Sequence, residues 1–302
     1  MTSVREAIGR AAAELAEAGL ESPRVDADIL AAHVLGIDRG RLVLAGEFTD
    51  EEEARFRDLV AARRAREPLQ HLTRTAWFRR IELGVGPGVF VPRPETELLV
   101  EWGLGWLRSA GDSPTVADLC AGSGAIAISI AVELPGSKVY AVESGRRAVE
   151  WLRRNAGRYG ASEHGVTVVA GDVTEPSTLA ELDGRVDLVL ANPPYLLTTA
   201  AGSLPTEVAK HDPYSALFGG PDGLDVIRGL VPRVAALLRP GGGFGMEHDD
   251  THGDVVPALL RAHGAFTDVK LHHDLAGRAR FTTATRTAET RPTGSGWQDG
   301  TP

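Results

Sequence analysis

Apolar residues recur at helical spacing through the first part of the chain: Val4, Ile8, Ala11, Ala12 and Leu15, then Ala27, Leu30, Ala31, Val34 and Leu35. Residues three and four apart share one helix face, so the pattern predicts a small helical region from residue 4 to about 66. Thr49 ahead of Glu51, Glu52 and Glu53 predicts a helix start, because a hydroxyl caps free backbone N–H groups and acids complement the helix dipole. Phe56, Leu59 and Val60 continue the apolar face, and Glu67-Pro68 ends it. From Trp77 to Val91 the apolar period shortens among Gly84, Gly86, Pro87 and Gly88, which predicts a hairpin linker.

Beyond Pro94 short apolar runs alternate with helical ones. Strands are predicted at 115–119, 138–142, 166–170, 186–191, 243–247, 266–271 and 279–285, with helices at 124–134, 146–159, 224–238 and 253–263. Alternation of this kind specifies an α/β architecture, a mostly parallel sheet covered by helices on both faces. The short turn from Asp274 to Gly277 makes the last two strands an antiparallel edge pair. The expected organisation is a helical domain at 1–75, a β-hairpin linker at 76–92, the sheet domain at 93–286, and a disordered tail at 287–302, where apolar periodicity stops.

With 302 residues the chain has ample length for a core, and no apolar segment approaches the ~20 residues that span a bilayer. No signal pattern opens it, so no membrane partner and a cytoplasmic location are expected. The formal charge of −9 argues against a protein built to grip a phosphate backbone. Arg63, Arg64, Arg66, Arg79 and Arg80 are the densest basic stretch, but Glu51, Glu52, Glu53 and Glu67 offset them, and a solvated helix face is expected. Cys120 is the single cysteine, so neither an internal disulfide nor a cysteine zinc cluster forms. His248, His252, His272 and His273 follow no ligand pattern, and no metal is expected.

The candidate chemistry sits at the predicted strand ends, where open α/β sheets bind ligands. Asp118-Leu119-Cys120-Ala121-Gly122-Ser123-Gly124 leaves the first strand and opens a helix, and its glycines let the backbone approach a ligand closely. Gly122 to Ala127 also fits the dinucleotide pattern, by itself a weak signal. Glu143 ends the second strand and is placed to accept from two ribose hydroxyls. Asp118 is placed to meet the ammonium of a zwitterion, where a pyrophosphate would be repelled. Asp172, followed by Val173, ends the third strand and is placed to accept from an adenine amino group. Asn192-Pro193-Pro194-Tyr195 ends the fourth. Its prolines donate no hydrogen bonds and fix φ, so the Asn192 oxygen and the Pro193 carbonyl form an acceptor pair for a planar NH2, with Tyr195 on its face. An amide or an exocyclic base nitrogen satisfies this description equally.

Arg66-Glu67-Pro68-Leu69-Gln70-His71-Leu72-Thr73, Phe90-Val91-Pro92-Arg93-Pro94-Glu95-Thr96-Glu97, the Asn-Pro-Pro-Tyr motif, Asp222-Gly223-Leu224 and Asp274-Leu275-Ala276-Gly277-Arg278 together resemble the peptide chain release factor N5-glutamine methyltransferases over nearly the whole chain. The resemblance implies a class I methyltransferase fold, a seven-stranded sheet carrying S-adenosyl-L-methionine behind a substrate-recognising helical domain. It implies that the acceptor is the glutamine of a Gly-Gly-Gln loop in class 1 peptide chain release factors, with no direct nucleic-acid substrate. Asn192, Pro193 and Tyr195 are then the catalytic residues. Pro194, Phe90, Arg93 and Thr96 join them around the substrate, with Arg93 alternatively in an ion pair with Glu95 or Glu97. Asp118, Cys120, Ala121, Gly122, Ser123, Gly124, Glu143, Asp172, Val173 and Asn192 surround the cofactor. The chain departs from the family pattern at Cys120-Ala121, at Glu143 where Asp is usual, at His248-Asp249, and at His252. A methyltransferase of a nucleic-acid exocyclic amino group, a noncatalytic S-adenosylmethionine-binding protein and a dinucleotide oxidoreductase are the alternatives.

Overall fold

The protein is represented by a computed structural model that describes residues 2–160 and 165–288. Its N-terminal part packs the helices Val4–Glu17, Pro23–Leu35 and Asp50–Arg64 around Leu15, Leu30, Phe48 and Phe56. The third helix starts as its residues dictate. The Thr49 hydroxyl accepts from the Glu52 N–H at 3.2 Å while the Glu52 carboxylate accepts from the Thr49 N–H at 2.8 Å, a reciprocal cap that satisfies two free donors. A two-residue strand pair, Thr2–Ser3 with Glu47–Phe48, closes this part; it is too short to leave a periodic signal.

Thr75–Phe78 and Ile81–Gly84 form the linker hairpin, shorter than the Trp77–Val91 stretch predicted. Asn155 fastens it. From the helix Arg146–Arg158 its side chain accepts from the Gly84 N–H at 2.7 Å and donates to the carbonyls of Gly84 and Ser123 at 2.9 and 2.8 Å, joining hairpin to cofactor loop.

The sheet has seven strands in the spatial order Phe266–His273, Ala279–Arg286, Leu238–Glu247, Val186–Ala191, Thr115–Leu119, Lys138–Glu143, Val166–Ala170. Pairing is antiparallel at the Phe266–His273 edge and parallel from Leu238–Glu247 onward, in agreement with the alternation of the sequence. The strand ending at Glu247 begins at Leu238, five residues before the predicted start at 243. Val186 pairs with Leu238 and Leu188 with Gly243, so the residues from Arg239 to Gly242, which the sequence reading leaves between helix and strand, bulge out of the pairing. The helix Thr96–Leu107, not assigned from the pattern, lies against the sheet. A Cβ on its Gly103 would stand 2.9 Å from the Leu190 side chain, so this glycine permits a close approach that also carries Thr96 to the ligand end of the sheet.

Three expectations are corrected. The basic stretch is solvated only in part: Arg64 and Arg80 are exposed, but Arg63 and Arg79 are not. Arg63 is buried and donates to Asp26 at 2.7 Å and to Glu207 at 2.9 Å, while Arg79 binds Glu133 at 2.6 Å and Glu101 at 2.8 Å. Arg63 thereby ties the N-terminal helices to the segment after Tyr195, as does buried His71, whose ring lies 6.2 Å edge-on from that of His211. Burial, reinforced by the charges of His211, Arg74 and Arg93, lowers the pKa of His71 to about 4 and keeps it neutral. Arg93 pairs with neither Glu95 nor Glu97 but with Asp212, at 2.8 Å. The predicted tail starts too early, because the Thr287 N–H donates to the Ala265 carbonyl at 2.9 Å; residues 289–302, on which the rest of that expectation falls, lie outside the described residues.

Candidate active site

The strand ends open into a cavity of about 820 Å³, large enough for a nucleoside-sized ligand together with a protein side chain. Cys120, Ala121, Gly122, Ser123, Glu143, Asp172 and Val173 line one end, and Phe90, Arg93, Thr96, Asn192, Pro194 and Tyr195 the other. Asp118, Gly124 and Pro193 do not reach its wall, which changes what each can do.

At the cofactor end the chain turns sharply. Cys120, Gly122 and Gly124 all take positive φ, at 66°, 56° and 92°. A Cβ on Gly124 would fall 2.6 Å from Leu152 and 2.8 Å from Ile128, so the residue is glycine because nothing larger fits between the loop and the two helices. Cys120 adopts the same left-handed region with a side chain, a local strain that the fold sustains. Glu143 bridges the loop: its carboxylate accepts from the Gly122 N–H at 2.8 Å and the Gly145 N–H at 2.7 Å. Each oxygen keeps a lone pair on the cavity side for a vicinal diol. The extra methylene of Glu over Asp is accommodated by this span.

Asp118 is fully buried behind the loop. One carboxylate oxygen accepts from the Ala127 N–H at 3.0 Å, and the other has no hydrogen-bond partner among the described residues. Burial raises its pKa to about 7, the Ala127 hydrogen bond opposing and the charge of Glu143 adding to the rise. The Ala127 hydrogen bond supports the first helical turn, and the second oxygen stays without a partner among the described residues, on the side of the loop where the sequence reading expects a ligand's ammonium. The Asp172 carboxylate lines the cavity while accepting from the N–H and hydroxyl of Thr174 at 2.8 and 2.7 Å. This set fits S-adenosylmethionine: a strained loop, a diol-accepting carboxylate and an orphaned buried carboxylate oxygen nearby. No group of three metal-binding side chains occurs among the described residues.

At the acceptor end Asn192 donates from Nδ2 to the Thr96 hydroxyl at 3.3 Å. Thr96 in turn donates to Glu247 Oε2 at 2.7 Å, and the Tyr195 hydroxyl donates to Glu247 Oε1 at 3.0 Å. Glu247 is buried, which pushes its pKa up against the opposing bonds from Thr96 and Tyr195. Burial, then the charge of Glu247, likewise raises Tyr195 and keeps the phenol protonated. Pro193 is buried beside the wall, and among the described residues no hydrogen bond ends on its carbonyl. The Arg93 guanidinium lies 4.9 Å from the centre of the Phe90 ring, held by the deeply buried Asp212.

Sequence reading missed Glu247 as a site residue, although a carboxylate closing an apolar strand is a signal of the same kind as Glu143. It also missed Leu204, Pro205, Val208 and Tyr214, which wall the cavity from the short helices Thr206–His211 and Tyr214–Leu217 and the segment before them. Those helices are too short for a period to show. The segment is locked to the motif by backbone hydrogen bonds, Leu196 N–H to Leu217 at 2.8 Å and Gly219 N–H to Leu196 at 2.9 Å. A Cβ on Gly219 would sit 2.6 Å from the Pro194 carbonyl. The departures near Glu247 are structural: buried His248 bonds the Thr282 hydroxyl at 2.8 Å, and His252 the Asp222 carbonyl at 3.1 Å.

Comparison with known proteins agrees with this geometry. A family model described as the PrmC N-terminal domain matches residues 6–73, and one described as the methyltransferase small domain matches residues 95–207. A release factor glutamine methyltransferase of Mycolicibacterium smegmatis is 51% identical over 288 residues, covering 95% of this chain and 99% of the relative. Another, of Mycobacterium tuberculosis, is 46% identical over 288 residues, covering 94% and 92%. The fold is shared with the hMettl16 catalytic domain, solved with an RNA hairpin, at a TM-score of 0.53 and 14% identity over 80% of this chain and 84% of that one. The chain belongs to the release factor glutamine methyltransferases, enzymes of the class I fold that draw their methyl group from S-adenosylmethionine.

Proposed function

We propose that this chain methylates the side-chain amide nitrogen of the glutamine in the Gly-Gly-Gln motif of class 1 peptide chain release factors, acting in the cytoplasm. The supporting observation is that Asn192 and Tyr195 share one cavity with Glu143 and the strained loop from Cys120 to Gly122, so a planar NH2 and the methyl donor meet across a single space. S-adenosylmethionine supplies a methyl on a sulfonium that departs as a neutral thioether. The chain has to supply the nucleophile's orientation.

A carboxamide nitrogen is a poor nucleophile because its lone pair is delocalised into the carbonyl. In our reading Asn192 Oδ1 and the Pro193 carbonyl accept the two N–H bonds of the incoming glutamine and hold its nitrogen lone pair toward the methyl group. They also stabilise positive charge as the N–C bond forms and the C–S bond breaks. Pro193 is buried between the wall residues Asn192 and Pro194, and its carbonyl accepts no other hydrogen bond among the described residues. Tyr195 packs on the amide face. The alkylated nitrogen is strongly acidic and loses one proton to solvent, so no base is required. We assign substrate recognition to residues 1–75, which touch the acceptor end through Arg63–Glu207 and His71–His211.

The test is to incubate the protein with methyl-labelled S-adenosylmethionine and a class 1 release factor and to map the modified residue. Label on the Gly-Gly-Gln glutamine is expected. Asn192→Ala is expected to lower the rate by about 100- to 1000-fold while cofactor affinity stays within about twofold. Label on RNA or DNA, with none on the release factor, would overturn the reading.

A further inference from the structure

We infer that buried Glu247 is a positioning residue: acting through the Thr96 hydroxyl, it fixes which edge of the Asn192 amide faces the cavity and so makes the site select an NH2 acceptor. The inference rests on the role proposed above for Asn192.

The argument is a matter of counting hydrogens. A carboxylate oxygen that carries no proton offers lone pairs only, a hydroxyl owns one hydrogen, and an amide has an accepting edge and a donating edge. Glu247 Oε2 lies 2.7 Å from the Thr96 oxygen and takes its single hydrogen. Toward Asn192, 3.3 Å away, Thr96 then presents only a lone pair. The edge of Asn192 that turns to Thr96 is therefore its NH2, and its oxygen is left for the cavity. The second oxygen of Glu247 is occupied by the Tyr195 hydroxyl at 3.0 Å, and the positive charge of Arg280 faces the same carboxylate. Arg280 is itself held by Asp274 at 2.9 Å. Thr96, Glu247, Arg280 and the loop that carries both Asn192 and Tyr195 belong to four different elements, so the direction is imposed by the fold and not by local sequence. A flipped Asn192 would point two N–H bonds at an incoming NH2 and repel it. A carboxylate or carbonyl ligand would then be favoured.

Glu247→Gln tests this, because the replacement has nearly the same shape but owns two hydrogens. With its oxygen still accepting from Tyr195, the Gln NH2 donates to Thr96. Thr96 turns its hydrogen to Asn192, and the amide is flipped. We expect kcat on the release factor to fall roughly tenfold or more with cofactor affinity unchanged. The distinguishing measurement is the double variant. Removing the hydroxyl by Thr96→Val in the Gln background cuts the reversed chain and should raise kcat above that of Glu247→Gln alone. A packing role for Glu247 would make the double variant worse than either single one, and that outcome overturns the inference. If Glu247→Gln does not fold, Thr96→Ser and Thr96→Val decide: the serine variant should be at least several-fold faster than the valine variant, and equality overturns the relay. Failure of the wild type to methylate the release factor would instead refute the proposed substrate. An active wild type with an equally active Glu247→Gln refutes only the relay.

Discussion

The two ends of the cavity are built by different means. The cofactor end is largely backbone: a loop held open by positive φ at Cys120, Gly122 and Gly124, with Glu143 receiving the N–H groups of Gly122 and Gly145. The acceptor end is side chain upon side chain, Asn192 on Thr96, Thr96 and Tyr195 on Glu247, Arg93 on Asp212, with partners 96, 151, 52 and 119 positions apart. A cofactor that never changes is met by a short contiguous stretch whose shape depends little on side-chain identity. That is why Cys120-Ala121 and Glu143 stand here without loss of the cradle. A particular acceptor is met by polar groups whose hydrogen-bond direction has to be correct, and only tertiary structure brings those together.

The sharpest way to break this contrast is at Glu143. Replacing it with alanine leaves two backbone N–H groups without their acceptor and removes the carboxylate that we assign to the cofactor's diol. Cofactor affinity should fall by about 100-fold, equivalent to about 2.7 kcal/mol. Calorimetric titration reads this directly. At saturating cofactor the KM for the release factor should stay within about threefold. A change in KM as large as the change in cofactor affinity would show that the two ends are not separately built.

The acceptor end predicts a smaller effect of another kind. Arg93→Ala strips Asp212 of its partner, and the Asp212 side chain is only 3% exposed. Burial already raises this carboxyl, with Arg93 opposing, so without the guanidinium it takes up a proton more readily. Urea unfolding should show a loss of about 1–3 kcal/mol, less than for a fully buried pair because Arg93 reaches solvent. Asp212→Asn on top of Arg93→Ala should recover most of it. Cofactor affinity should not move. A double variant as unstable as Arg93→Ala would mean that Phe90 stacking, not the charge, carries the loss.

The same division explains what the chain discloses before it folds. The parallel strands of the sheet were legible because buried parallel strands are continuous apolar runs ending in turn residues, and the antiparallel edge pair because a short turn at Asp274 to Gly277 divides it. The loop 118–124, Glu143 and Asn192-Pro193-Pro194-Tyr195 were legible because each lies directly at a strand end. Glu247 was not legible because its two partners, Thr96 and Tyr195, stand far from it in sequence. Arg63 and Arg79 read as surface because charge runs usually are, yet the counter-ions, Asp26 and Glu207 for Arg63 and Glu133 for Arg79, come from other elements. The helix Thr96–Leu107 carries two glycines, and no polar stripe announces it, since it packs where Gly103 touches Leu190.

The smallest effect, and the one that tests whether the cofactor end is truly backbone-built, lies at Asp118. Its folded pKa of about 7 stands above the unfolded value of 3.8, so between those two values the folded chain binds more protons than the unfolded one. Stability contributed by this group is complete below 3.8 and is lost as pH rises through about 7. Asp118→Asn keeps an oxygen for the Ala127 N–H and never ionises. Without cofactor, then, the variant should gain stability on wild type as pH rises from 3.8 to about 7 and keep that advantage above it, read from melting temperatures across that range. Opposite curvature would mean that the carboxylate is ionised in the folded chain. Repeating the series with saturating S-adenosylmethionine separates the two roles of the residue. If Asp118 only supports the helical turn behind the loop, cofactor stabilises both proteins equally. If its unpartnered oxygen serves the ligand's ammonium, wild type gains more, and the cofactor end depends on a side chain's charge as much as the acceptor end does.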